Sequence, residues 1–134
     1  MREIKFRGKD IETGEWLYGD LIQRLGNFPA ILYQDCYDGK VIYIECAVDK
    51  DSVGQYTGSR DKDGKEIYEG DVVQSKLKRA RKYDEVLQIC FNDSEYEYCG
   101  KNEHGSSISL SLLEDYHTVE VIGNIHDNPE LINN

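Results

Sequence analysis

What this sequence lacks narrows it first. No apolar run exceeds a few residues, and the opening segment Met1-Arg2-Glu3-Ile4-Lys5-Phe6 alternates charged with apolar groups. It has neither the length of apolar chain that a membrane helix needs nor the apolar centre of a secretion signal. The expectation is a protein that stays in the cytoplasm of the cell that makes it and takes no membrane as partner. Cysteine is sparse: Cys36, Cys46, Cys90 and Cys99 are too dispersed for a secreted disulfide framework, and no two have C-x-x-C spacing. Cys46 shares a strand face with Ile42, Ile44 and Val48, and Cys90 lies between Ile89 and Phe91. All four are therefore expected to be buried, reduced and free of metal. His104, His117 and His126 do not complete a ligand spacing with them, so no metal and no cofactor are expected.

Positive charge is also short. Sixteen basic residues stand against 26 acidic ones, for a formal net charge of -10. Such a surface repels nucleic-acid phosphate unless its bases are gathered in one place. They are gathered once, at Lys76, Lys78, Arg79, Arg81 and Lys82, and without those five the rest of the chain stands at -15. A hairpin tip carrying them would give the surface a strong dipole, able to engage phosphate or an acidic protein patch. The plainer reading is a solvated loop balanced by Asp84, Glu85 and other acids.

Reactive motifs are missing as well. Gly58 and Gly64-Lys65 are separated by five residues where a phosphate-cradling loop needs four, and Glu66 stands where Ser or Thr would hold magnesium. Gly105-Ser106-Ser107 is not a nucleophile elbow. Asp61-Lys62-Asp63-Gly64-Lys65-Glu66 resembles half of a calcium loop without its later acids, and a hairpin tip accounts for it better. Asp20, Glu69 and Asp71 would make an acid/base pair only if two Gly-Asp units faced each other. An Asp in that setting more often caps a turn.

What is present is period-two patterning. A chain of 134 residues buries about two thirds of its unfolded surface and needs no staple. The clearest strands are Lys40 to Val48, Tyr83 to Phe91 and Thr118 to His126; weaker ones are Glu3 to Arg7, Glu15 to Ile22, Ala30 to Gln34, Asp71 to Leu77 and Tyr96 to Cys99. Thr13-Gly14, Asp38-Gly39, Asp63-Gly64, Asn92-Asp93 and His104-Gly105 supply turn chemistry between them. Ser107 to Tyr116 fits a short helix and an alternating strand about equally, and Asp127-Asn128-Pro129-Glu130 has the order of a helix start. Thr13 to Ile22 is echoed by Asp63 to Val73 with one insertion, each a turn and an extended arm leading to Gly19-Asp20 or Gly70-Asp71. The echo suggests two similar β units with a boundary near Asp49 to Val53, Gly70 sitting at a bend that a Cβ atom would strain.

Three ordered motifs carry a resemblance over essentially the whole chain. They are Ile4-Lys5-Phe6-Arg7-Gly8-Lys9, Val53-Gly54-Gln55-Tyr56-Thr57-Gly58 continued by Asp63 to Val73, and Val121-Ile122-Gly123-Asn124-Ile125-His126-Asp127-Asn128-Pro129-Glu130-Leu131. Together they resemble the YopX-like proteins of phages and prophages of Gram-positive bacteria. The resemblance implies a β-rich fold with an SH3-type barrel element, expression in the infected or lysogenic host, and no catalytic or ligand residues to carry over. The resulting expectation is an all-β protein, with a smaller N-terminal β unit over residues 1–50 and a C-terminal SH3-like barrel unit with a short tail over 51–134. Its expected work is non-enzymatic binding or interaction with a phage or host protein, homo-oligomers being compatible with it. A nucleic-acid-associated factor using the segment 76–82 is the alternative, and an uncharacterised enzyme is less favoured.

Overall fold

A computed structural model describes residues 2–24, 26–79 and 84–132. The chain forms two compact units, Met1–Tyr56 and Thr57–Asn134. In the first, β1 (Phe6–Lys9), β2 (Trp16–Ile22), β3 (Ala30–Tyr37) and β4 (Lys40–Ala47) follow one another as antiparallel neighbours, and the start of β5 (Gly54–Arg60) pairs with the other side of β1. The sheet order there is β4-β3-β2-β1-β5. Local chemistry makes the corners. Asp38 and Gly39 take φ of 51° and 73° in the two-residue β3–β4 turn, the positive pair that suits the twist of a tight hairpin. Asp10 Oδ1 accepts from the Glu12 and Thr13 amides after β1.

One face of this sheet buries Ile31 and Val48, and the strands approach closely enough that Gly8 faces Val48 Cγ2 at 2.8 Å from where a Cβ would stand. Gly19 is tighter still, because a Cβ there would run into the Leu32 carbonyl oxygen. The opposite face carries cations over rings: Arg7 lies 4.6 Å and Lys9 5.5 Å from the Trp16 ring, and Lys5 lies 5.7 Å from Tyr56. Such pairs hold long side chains along the strands and contribute about 0.5–2 kcal/mol each.

In the second unit β5 continues beside β6 (Glu66–Tyr68), and β7 (Asp71–Leu77), β8 (Glu85–Asn92), β9 (Glu97–Lys101), β10 (Ser107–Ser109) and β11 (His117–Asn124) form an antiparallel sheet of order β10-β9-β8-β7-β11. Helix α1 (Leu110–Tyr116) follows β10 directly, its N-terminus capped by Ser109 Oγ accepting from the Leu112 amide. The segment Ser107 to Tyr116 thus does both things its pattern allows, in succession. Ile67, Val73, Leu87, Ile89, Leu110, Leu113 and Val119 make the core, with Tyr98, Ile108 and Val121 packed against it. Each such side chain contributes about 1.5–3 kcal/mol by leaving water. The fold is all-β apart from one short helix among the described residues. The closed SH3-like barrel anticipated for this unit is not found: the described strands run from β10 to β11 as a sheet with two ends, and β11 pairs only with β7.

Two polar devices tie the unit together. Asp61 is buried, and its Oδ1 accepts from the Asp63 and Lys65 amides at 2.9 Å while Oδ2 accepts from the Val121 amide at 3.0 Å. Gly70, at φ 89°, donates its amide to Ile89 O and accepts at its carbonyl from Ile125 N. Burial alone would raise the Asp61 carboxyl, but the three amide bonds and the Lys65 charge outweigh it and hold its pKa below the ordinary value.

A depressed carboxyl pKa gives stability that is present above the unfolded value and lost as pH falls through the folded one. Asp61→Asn is therefore expected to destabilise the protein by about 1.5–3 kcal/mol near neutral pH, the range for hydrogen bonds to a charged group. The gap from the parent protein should narrow as the pH drops below about 4, the unperturbed carboxyl range. Urea denaturation at several pH values measures it, and a gap that is absent at neutral pH or constant down to acid pH would contradict the role given to this carboxylate.

Candidate interaction site

A strand at the end of a sheet presents unpaired amides and carbonyls, and folded proteins blunt such edges by shortness, cover or charge. Three of the four sheet ends here are blunted. β6 and β10 have three residues each. β11 is covered where Lys62 donates its amide to Val119 O and Val121 donates to Asp61, so the turn after β5 lies along its outer side. β4 is different, being eight residues long. Among the described residues its outer side is met only at the C-terminal end, by the bridge Asp10↔Val48 and the Ile11 amide donating to Ala47 O.

The open stretch, Lys40 to Cys46, also carries apolar side chains that water reaches. Tyr43 is 67% and Val41 58% exposed on the face they share with Gln34 and Cys36, while Ile42 is exposed on the other, where Asp35 opposes it. Tyr37, at the hairpin tip, is 74% exposed. An open cleft of about 500 Å³ adjoins this edge, lined by Lys5, Tyr18, Asp20, Leu32, Gln34 and Tyr43 among others. Arg24 reaches Glu45 at 2.6 Å, so the acid on the strand is already matched. The edge is otherwise neutral apart from Lys40. In the sequence Ile42, Ile44 and Cys46 mark one face of this strand, and Val41 and Tyr43 between them are the signal of a strand apolar on both sides.

The basic segment is placed elsewhere. Lys76 is exposed near the end of β7, and Lys78 and Arg79 follow it; Arg81 and Lys82 lie outside the described residues. Lys78 Nζ donates to the carbonyls of Glu114 and Asp115 at the end of α1, at 3.2 and 3.3 Å. A second cleft, of about 460 Å³, brings Lys78 together with Arg60, Lys62 and His117, two cations that spacing along the chain does not associate with the segment. Acceptors are already beside each. Arg60 donates to Gly64 O and lies 3.6 Å from Glu66, and Lys62 lies 3.6 Å from Asp63.

The residues considered for chemistry are separately occupied. Asp20 is exposed on β2 beside the first cleft, and Gly19 is the close-approach residue described above. Asp71 is buried, its Oδ2 accepting from the Tyr68 amide at 2.7 Å, directly after the positive-φ Gly70. His104 is exposed and pairs with Glu103 at 3.3 Å, and His117 Nδ1 lies 2.7 Å from Ser75 Oγ. Among the described residues no three His, Cys, Asp or Glu side chains converge as metal ligands. The thiols divide unevenly: Cys99 is buried, Cys46 and Cys90 are half-buried, and Cys36 is exposed, against the expectation that all four lie inside. Cys36 sits beyond the part of β3 that the core covers.

Residues 5–133 match the family model described as YopX protein. The fold is similar to the crystal structure of yopX from Bacillus subtilis, with a TM-score of 0.63 and 20% identity over 100% of this chain and 98% of that one. It is likewise similar to the crystal structure of EF1440 from Enterococcus faecalis, with a TM-score of 0.60 and 23% identity over 99% of this chain and 100% of that one. No curated protein matches.

With Lys78, Arg60 and Lys62 already beside acceptors and a net charge of -10, the isolated protein is expected to bind duplex DNA no tighter than micromolar at physiological salt. Fluorescence anisotropy over a salt series checks this. A submicromolar, sequence-independent affinity with a log-log salt slope near -4.5, about -0.9 for each of five cations, would reverse the order of the two binding readings.

Proposed function

The chain belongs to the YopX protein family, and from that premise we propose that it is a non-enzymatic interaction module that docks an extended strand of a partner protein along the outer edge of β4. The observation that carries the reading is the contrast among the sheet ends: three are short or covered, and the long one is open and lined by Val41, Ile42 and Tyr43. Strand addition joins main-chain hydrogen bonds for affinity to alternating side-chain contacts for specificity. The partner that fits is a segment with apolar residues at every second position, flanked by basic residues that answer the net charge of -10. We set this work in the cytoplasm of a bacterium carrying the phage or prophage, with the partner drawn from either. As part of the proposal, the second unit is a splayed relative of an SH3-like barrel; the turn lying along β11 supports it.

One observation favours a second reading. Lys78, Arg60 and Lys62 share a cleft, and Lys76 lines an adjoining one with Lys78. That reading makes the protein a nucleic-acid-associated factor.

Affinity capture from host lysate, run with and without nuclease, separates the two. Tyr43→Asp leaves the fold intact because the ring is mostly in water, and it is expected to lower capture of the protein partner at least tenfold, a loss of about 1.4 kcal/mol. Lys76→Gln with Lys78→Gln should leave that capture unchanged. Capture abolished by nuclease and by the lysine changes, and indifferent to Tyr43→Asp, would contradict the edge-docking proposal.

A further inference from the structure

The second unit holds a pair of thiols that the docking edge does not use, one half-buried and one in the core. Cys90 on β8 and Cys99 on β9 are directly opposed in the antiparallel register, and their sulfurs lie 3.4 Å apart. Directly opposed residues of antiparallel strands have Cα atoms about 4.5–5.5 Å apart, inside the range of about 4.4–6.8 Å that a disulfide spans. Closing to a bond of about 2.0 Å takes a turn of the side chains and no change of register. The neighbours hold that register: Phe91 and Tyr98, the next pair along, meet edge to face with ring centroids 5.2 Å apart. The other two cysteines lack such a partner, since Cys36 opposes Val41 and Cys46 opposes Ile31.

We propose that Cys90 and Cys99 are a two-thiol modification site, oxidised reversibly to a cross-strand disulfide by a low-molecular-weight disulfide. Exposure fixes the order of events, because Cys90 is half-buried and Cys99 buried. The Cys90 thiolate, having given its proton to water, attacks one sulfur of the small disulfide and expels one thiolate. The mixed disulfide that results places its Cys90 sulfur beside Cys99, which loses its own proton, attacks that sulfur and expels the second thiolate. Two protein S–H bonds and one S–S bond are consumed; one protein S–S bond and two small thiols are formed. The protein pair is oxidised and the small disulfide is reduced. Burial, and after it the contact with Cys99, pushes the Cys90 thiol up to about 11, with Glu69 adding and Lys101 opposing. The thiolate is therefore scarce at neutral pH and the site stays reduced until the oxidant or the pH rises.

The test uses the full chain carrying Cys36→Ser and Cys46→Ser, incubated with oxidised glutathione at pH 7 and pH 9, quenched with acid and read by mass spectrometry. The expected product has lost two hydrogens, links the Cys90 and Cys99 peptides, reverts with reductant, and forms about 100-fold faster at pH 9, tenfold for each pH unit below the thiol pKa. Adding Cys99→Ser should instead trap one glutathione on Cys90, and adding Cys90→Ser should leave Cys99 unmodified in the folded protein. A glutathione adduct that persists on Cys90 with Cys99 present, modification of Cys99 in the Cys90→Ser protein, or no reaction of either thiol at pH 9 would each overturn the proposal.

Discussion

Backbone amides and carbonyls that leave water must find partners, and a β-sheet meets this demand everywhere except along its outermost strands. Each unit of this chain answers the problem of its edges in its own way. In the second, the turn after β5 is laid along β11, with Lys62 donating to Val119 and Asp61 accepting from Val121, while β10 stops after three residues. In the first, the bond from Ile11 to Ala47 covers only the last residue of β4. Among the described residues no strand pairs with the outer side of Lys40 to Cys46, beside exposed Val41, Ile42 and Tyr43. An edge of that length and character invites another strand, which is why the functional reading centres on it.

The same demand explains where the acids go. Asp61 accepts three amides, Asp71 takes the Tyr68 amide, and Asp10 accepts those of Glu12 and Thr13 at the first hairpin. For Asp61 these amide bonds hold the carboxyl pKa below its ordinary value, so it is not placed to shuttle protons. The acidic excess of this chain thus serves partly as turn chemistry and otherwise as surface charge. Two cations behave alike: Lys78 closes on the carbonyls ending α1 and Arg60 on Gly64 O.

Much of the fold was legible because strand alternation and turn dipeptides act locally. β7 begins and ends at Asp71 and Leu77, as its pattern indicates, and Asp38-Gly39 makes the hairpin turn it spells. β5 was not legible: Gly-Gln-Tyr-Thr-Gly-Ser-Arg has no apolar alternation, and it is a strand through its pairing with Phe6 and Arg7 and the Thr57 hydroxyl donating to Ile67 O. Barrel closure was not legible for a related reason, since it depends on which distant strands meet, and among the described strands β11 pairs with β7 and no closed barrel is found. The candidate site was half legible. The strand was visible in Lys40 to Val48, but its place at the end of the sheet depends on β1 pairing with β2 and β5, which no local pattern encodes. Arg60 and Lys62 joining Lys78, and Cys90 opposing Cys99, are likewise products of register.

Hydrogen exchange along β4 tests the central claim most directly, because an open edge strand bonds its neighbour with only alternate amides. In the isolated protein at low concentration, every second amide between Val41 and Glu45 should exchange with little protection while those of the central strands β2 and β8 exchange slowly, and the fast set should become protected when the captured partner is added. Uniform protection of β4 in the isolated protein, or a fast set that the partner leaves untouched, would contradict the account.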